Sequence, residues 1–278
     1  MFRWFLTGAK LAALSMVAVL LVAPAHAQDE AENAGHVDWQ FDASAYLFAS
    51  AITGDVGVGP VTTDVDVSFG DILEGLEGGI MGYGQARKGP WSLIADVAYL
   101  RVTADNELAS AGGALTANLD VELKQTILAG YGAYRVYDRP WRANNQDGIG
   151  LSIDVLGGAR YNRVVTELDA RAAILGLTTS SQRDRTVDWV DPVVGVRAVV
   201  APARNWRVTL WGDYGGFDVG ADSTWQLIGL VGYTFDSGID LFGGYRAYAF
   251  DYSEGSGGSR LNLDLTYAGP LVGIGFQF

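Results

Sequence analysis

This sequence predicts an all-β fold: a transmembrane antiparallel β-barrel of about ten strands, with both chain ends on the periplasmic side. Three observations predict it. Long runs alternate between apolar and polar residues, the connections between runs alternate short and long, and aromatic residues gather at the ends of the runs. Eight or twelve strands stay open, because alternation marks a run better than it marks where the run stops.

The first 27 residues read as a secretory signal peptide. Arg3 and Lys10 give a positive start, Leu11 to Ala23 a short apolar stretch, and Ala25-His26-Ala27 the small-x-small pattern of a cleavage site. Residues 28–36 then form a periplasmic linker, and the barrel occupies 37–278. No later segment has the ~18 to 20 continuous apolar residues of an α-helical span. Yet 49% of the chain is hydrophobic, so the oil is spread in alternation rather than gathered in blocks.

Composition removes several classes. With no cysteine, disulfide scaffolding and a lipid anchor on an N-terminal Cys are excluded. A formal net charge of −13 argues against nucleic acid as a partner.

Ten runs follow one another at roughly 37–50, 79–88, 90–104, 115–137, 148–164, 186–201, 205–217, 223–236, 238–252 and 262–278. Each is long enough for a tilted strand crossing a bilayer. In the first, Trp39, Phe41, Ala43, Ala45 and Leu47 share one face, opposite Asp38, Gln40, Asp42 and Ser44. In the third, Trp91, Leu93, Ala95, Val97 and Tyr99 oppose Ser92 and Asp96. The fifth sets Ile149, Leu151, Ile153 and Val155 against Ser152, Asp154, Arg160 and Asn162. The sixth sets Val190, Val194, Val196 and Val200 against Asp191, Gly195 and Arg197. The seventh, eighth and ninth repeat the pattern, placing Asp213, Gln226 and Arg246 on the polar face. Runs two and four fit less cleanly. A period of two with one oily face marks a two-faced sheet.

A soluble barrel alternates as well, with its oil inside. The connections discriminate. Lys88-Gly89-Pro90, Ala201–Arg204 and Ser237-Gly238 are tight, while 51–78, 105–114, 165–185 and 253–261 are long; 138–147, carrying Pro140 and Trp141, is the exception. Short turns on one side and long loops on the other describe a bacterial outer-membrane barrel. Trp39, Trp91, Trp206, Phe235, Phe276 and Phe278 fall at the periplasmic ends, and Tyr99, Tyr161, Tyr214 and Trp225 near the opposite ends, as two interfacial girdles would.

The last run ends Val272-Gly273-Ile274-Gly275-Phe276-Gln277-Phe278, which resembles the C-terminal assembly signal of outer-membrane barrels at Ile274, Phe276 and Phe278. That resemblance implies recognition by the barrel-assembly machinery. Three further stretches resemble the OmpA/OmpW-like proteobacterial barrel proteins: Trp189-Val190-Asp191-Pro192-Val193-Val194-Gly195-Val196-Arg197, Gly212-Asp213-Tyr214-Gly215-Gly216-Phe217, and Gly243-Gly244-Tyr245-Arg246. The resemblance covers most of the chain from 37 onward and is strongest beyond 186. It implies the architecture and no established chemistry.

The inward charges are the candidate site. Asp96, Asp154, Arg160, Asp191, Arg197, Asp213 and Arg246 are expected to form an Asp–Arg lattice filling a narrow lumen, since buried charges must pair. Counting from the periplasmic ends pairs Asp154 with Arg197 and Asp191 with Arg160, lets Asp213 reach Arg197, and leaves Asp96 and Arg246 on more distant walls. Rings of charge also serve as selectivity filters. Catalysis is weighed by an absence: the two histidines are His26, in the signal peptide, and His36, before the first strand. An omptin-like protease or a Ser–His acyl hydrolase needs a histidine at its site. No enzyme activity, cofactor or metal is therefore expected.

Two loops carry motifs. Asp64, Asp66, Asp71, Glu74 and Glu77 match no EF-hand spacing and read as a solvated acidic face. Ser68-Phe69-Gly70-Asp71 resembles a capping box before Ile72, Leu73 and Leu76, suggesting a short helix at the barrel mouth. The alternating Val61–Phe69 stretch cannot span without misplacing a terminus. Arg163, Arg171, Arg183 and Arg185 suit either lipopolysaccharide phosphates or an extended hairpin. The expectation is a structural or narrow-pore protein of the cell outer membrane, in contact with membrane lipid and lipopolysaccharide. The alternative is a surface interaction protein binding lipopolysaccharide or an extracellular partner through its loops.

Overall fold

The computed structural model describes residues 38–109, 115–141, 148–174 and 177–278. The expected signal peptide and linker, at 1–27 and 28–36, lie outside the described residues. The strands are β1 (Trp39–Phe48), β2 (Ala51–Val58), β3 (Val61–Val67), β4 (Leu76–Lys88), β5 (Trp91–Ala109) and β6 (Leu115–Arg139). They continue with β7 (Gly150–Ile174), β8 (Leu177–Ala203), β9 (Trp206–Gly216), β10 (Ser223–Thr234), β11 (Ile239–Glu254) and β12 (Leu261–Gln277), and a helix α1 (Phe69–Glu74) follows β3.

Ten strands, β1 and β4 to β12, pair antiparallel in chain order, and β1 closes the barrel on β12 from Asp42↔Gln277 to Phe48↔Leu271. Closure leaves no free edge in the wall, which is what lipid requires of a sheet. β2 continues the line of β1 along the upper half of β12, from Ala51↔Ala268 to Val58↔Leu261. β3 then folds back on β2 alone. The segment 61–69 thus builds a hairpin arm and no spanning strand.

Segment 51–78, expected as a loop, is this arm plus α1. Ser68 caps α1 with a full capping box: its hydroxyl accepts from the Asp71 amide while Asp71 accepts from the Ser68 amide. Segment 165–185, also expected as a loop, is strand. β7 and β8 pair without interruption from Gly150↔Ala201 to Ile174↔Leu177, and β6 runs beside β7 to Leu115↔Ile174, so the β5–β6 and β7–β8 hairpins project together. Tight links at 88–91, 203–206 and 234–239 share one end of the barrel with Trp39 and Phe278. That is the turn end; the other is the loop end.

The wall changes character along its height. In β12, Val272, Ile274 and Phe276 face outward near the turn end, while further up Leu261, Leu263 and Leu265 face inward and Asn262, Asp264 and Thr266 outward. Tyr248, Phe250 and Tyr252 in β11 likewise face inward above the outward Leu241 and Tyr245. In β8, Val187 and Trp189 face inward above the outward Val190, Val194 and Val196. Between these stretches the pleat of β8, β11 and β12 keeps its phase. The apolar residues change face, so an oily exterior near the turn end gives way to an oily interior near the loop end. The first is what lipid demands and the second what water demands.

Aromatic rings crowd the outer surface at the turn end. Trp91 meets Tyr134 with centroids 4.8 Å apart, Trp206 meets Tyr233 at 5.2 Å, and Phe41 stacks on Phe278 at 5.8 Å. Toward the loop end Tyr214 meets Phe217 at 5.4 Å.

Candidate functional site

The lumen has three layers. At the loop end lies an apolar layer to which the whole circumference contributes. Ile52 of β2, Ile72 of α1, Ala98 of β5, Ile127 of β6 and Trp189 of β8 join Tyr248, Phe250, Leu263 and Tyr267 of β11 and β12. Met81 and Val164 bring in β4 and β7, and Ala221, from the β9–β10 connection, is fully enclosed. Trp189 stacks on Tyr252 with centroids 4.3 Å apart, and Phe250 on Tyr267 at 6.0 Å.

The middle layer is polar, and its deepest members are closed off from solvent. Asp154, Arg160, Asn162, Asp191 and Thr224 are each 0 or 1% exposed. All seven candidate charges face inward, yet apart from Asp154 with Arg197 their partners differ from those that counting along the strands suggests. Arg160 stands opposite Asp191 in register but reaches across to Asp213, donating at 2.6 Å. Asp213 also accepts from Trp211 Nε1 at 3.0 Å, Gln226 Nε2 at 3.1 Å and the Tyr131 hydroxyl at 3.3 Å. Asp213 therefore bonds Arg160 and not Arg197.

Asp191 accepts from Trp189 Nε1 at 2.9 Å and from the Ala221 amide at 2.7 Å. It thereby ties the β9–β10 connection down over the lumen. Asp96 and Arg246, expected on distant walls, meet at 3.4 Å, with the Tyr46 hydroxyl donating to Asp96 at 2.8 Å and accepting from Arg246 at 2.9 Å. The lumen is narrow enough for long side chains to bridge it, which strand-by-strand counting cannot represent.

Asp154 does pair with Arg197, which donates through Nη2 at 2.7 Å and Nε at 3.1 Å. Two arginines missed by the sequence reading complete the group: Arg135 donates through Nε at 3.0 Å and Arg87 through Nη2 at 3.2 Å. Arg135 was obscured by a bulge, since the register shifts between Arg135 and Tyr137 and breaks the alternation there. Arg87 belongs to run two, one of the two runs that alternate less cleanly. Trp189 and Trp211, also missed as interior groups, share a readable signal: Trp189-Val190-Asp191 and Trp211-Gly212-Asp213 repeat Trp-x-Asp, and in both the indole donates to the aspartate two residues on.

Below these groups, toward the turn end, a cavity of about 620 Å³ fills the lumen. Gln40, Gln277 and Phe278 line it near the mouth, and Tyr131, Gln226 and Arg246 line its deeper part. Arg207 and Asp240 form a further charged pair on the β9 and β11 walls.

The loop motifs separate in space. Asp71 serves the α1 cap, Glu77 pairs with Arg101 at 2.9 Å, and Asp64 stands opposite Asp55. Among the described residues no group of three or more His, Cys, Asp and Glu is placed to hold a metal ion. Arg163 and Arg185 are exposed, whereas the side chains of Arg171 and Arg183 lie outside the described residues.

No family model and no curated protein matches the chain. Several solved structures do. Ail, the attachment invasion locus protein of Yersinia pestis, is 12% identical with a TM-score of 0.30, over 86% of this chain and 98% of that one. The translocator domain of the autotransporter NalP from Neisseria meningitidis is 11% identical with a TM-score of 0.38, over 87% and 89%. The Pseudomonas putida toluene transporter TodX is 11% identical with a TM-score of 0.26, over 86% and 89%. These neighbours are outer-membrane β-barrels and do not single out the OmpA/OmpW-like group. At such TM-scores the likeness adds nothing to what the wall itself establishes.

Proposed function

We propose that this chain is an outer-membrane barrel with a sealed lumen, a structural element of that membrane and not a narrow pore. Its tight turns face the periplasm and its long β7–β8 hairpin faces outward, in contact with lipopolysaccharide. The outward Ile274 and Phe276, together with Phe278, serve as the assembly signal read by the barrel-assembly machinery.

One observation carries the reading: a solvent-excluded apolar layer crosses the whole lumen directly above a solvent-excluded polar layer. A conducting path needs a continuous file of water or of polar groups that exchange partners. Here the Trp189, Phe250 and Tyr267 rings occupy that path, and the groups beneath are committed to one another.

Liposome swelling tests it. Vesicles carrying the refolded chain should shrink in a small sugar and stay shrunken, like protein-free vesicles. Rapid re-swelling would show solute entry and overturn the sealed reading.

A further inference from the structure

The β2–β3 arm leaves one strand edge open. Among the described residues β3 pairs with β2 alone, since β4, the next strand in the chain, pairs with β1 and β5. The ladder decides which groups stand on that edge. In an antiparallel strand the amide and carbonyl of one residue point to the same side, and the side alternates along the chain. Gly59 donates to the Arg260 carbonyl at 2.7 Å, so the odd residues of β2 bond toward β12 and the even ones toward β3. Across the register Val58↔Val61 to Ile52↔Val67, the odd residues of β3 are then spent on β2. Thr62, Asp64 and Asp66 hold their amides and carbonyls out along the free edge.

Open edges are commonly blunted by proline, lysine or a bulge. β3 has neither residue, and its register on β2 is continuous. Its guard is acidic instead. Thr62, Asp64 and Asp66 are exposed on the outer face, where Asp64 stands in line with Asp55 and Asp264. Val65 and Val67, on the inner face, pack against the apolar layer.

This division selects the partner. A strand added antiparallel to β3 sets the residues opposite Thr62, Asp64 and Asp66 on the acidic face and the residues between them on the apolar one. Like charges directly opposite one another destabilise a pair of strands, and opposite charges support it. A second copy of β3 would set carboxylate against carboxylate. A strand with cations at alternate positions meets the aspartates and lays its apolar side beside Val65.

We propose that the free edge of β3 takes up an extended segment of a partner protein in which lysine or arginine alternates with apolar residues. Main-chain hydrogen bonds hold the segment, and its alternate side chains identify it. The site lies outside the lumen and stands whether or not the lumen conducts.

Titration calorimetry on the refolded barrel in detergent tests it, with acetyl-Lys-Val-Lys-Val-Lys-amide as the probe. In the expected register the lysine amides bond β3 and the valine amides point away. The peptide should bind one to one. N-methylation of its lysine amides should weaken it at least tenfold (about 1.4 kcal/mol), whereas N-methylation of its valine amides should leave it as it was. Both modified peptides keep the charge of the parent, and all three are compared on one folded protein. Thr62→Pro, which removes an edge amide and no bond to β2, should weaken the parent peptide as much as lysine N-methylation does. Equal affinity of the parent and the lysine-methylated peptide would show attraction by charge alone. That result, equal binding of the peptide with glutamate in place of lysine, or no binding up to about 1 mM, the weak end of the affinity range, overturns the proposal.

Discussion

Arg160 donates to Asp213 at 2.6 Å, and neither side chain reaches solvent. The bond passes over β8 from β7 to β9 and ties the two strands that flank it on the inner face of the barrel. Removing one partner leaves the other charge buried and unmet, which costs about 3 to 5 kcal/mol, whereas replacing both with apolar groups is far milder. Asp213→Asn should therefore lower the unfolding free energy by about 3 kcal/mol in urea titrations of the lipid-embedded barrel. Arg160→Met with Asp213→Leu should recover most of that loss. Additive losses in the double variant would show that the two side chains do not act as a pair.

Phe250 is 1% exposed and packs between Trp189 and Tyr267. Phe250→Ala should cost about 3 to 5 kcal/mol, because the closed layer cannot collapse around the void. Leu241→Ala, on the outward face, should cost less, since lipid refills the space. The same urea titration compares them, and a Leu241→Ala loss equal to that of Phe250→Ala would place the packed interior wrongly.

Most of the wall was legible in the sequence. Ten alternating runs became the ten barrel strands, because the two faces of each strand meet different solvents and sequence must record which is which. The apolar layer is legible in the sequence as a change of phase. Leu261, Leu263 and Leu265 alternate out of phase with Val272, Ile274 and Phe276, and that change of phase marks where the wall leaves lipid. Asp154 and Arg197, opposite in register, were legible as a pair; Arg160 passes its register partner to reach Asp213 two strands on, and Asp96 meets Arg246 because the lumen is narrow, neither of which strand counting records.

Above the lipid, like charges face one another. Asp64, Asp55, Asp264 and Asp251 stand directly opposite in sequence across β3, β2, β12 and β11. The hydrogen bond that Asp55 shares with Asp64 holds its carboxyl above the ordinary carboxylate range, helped by partial desolvation and by the charges of Asp64 and Asp264. A raised acid stabilises the folded hairpin in full below the ordinary carboxylate value, and that contribution is lost as pH rises through the raised one. The β2–β3 hairpin should thus be firmer near pH 3 than at pH 7. Hydrogen exchange over 51–67, corrected for intrinsic rates, should be slower in Asp64→Asn than in wild type at pH 7 and the same at pH 3. Identical wild-type protection at both pH values would contradict this.

Two neighbouring glycines should differ. A Cβ at Gly158 would sit 1.9 Å from the Gly130 carbonyl oxygen, whereas at Gly130 it would meet nothing within 4 Å. Gly158→Ala should cost about 1 to 3 kcal/mol through forced strand displacement, and Gly130→Ala almost nothing, read by thermal unfolding in detergent. Equal effects would mean that β6 and β7 do not approach as closely as described.

Single-channel recording across a planar bilayer asks the central question most directly. With many copies inserted, as verified by protection of the wall from protease, the sealed lumen predicts a membrane current indistinguishable from bare lipid at 100 mV. Discrete, repeatable current steps from the wild-type chain would show ions passing the Trp189–Phe250–Tyr267 layer, and the account of a closed barrel would fail.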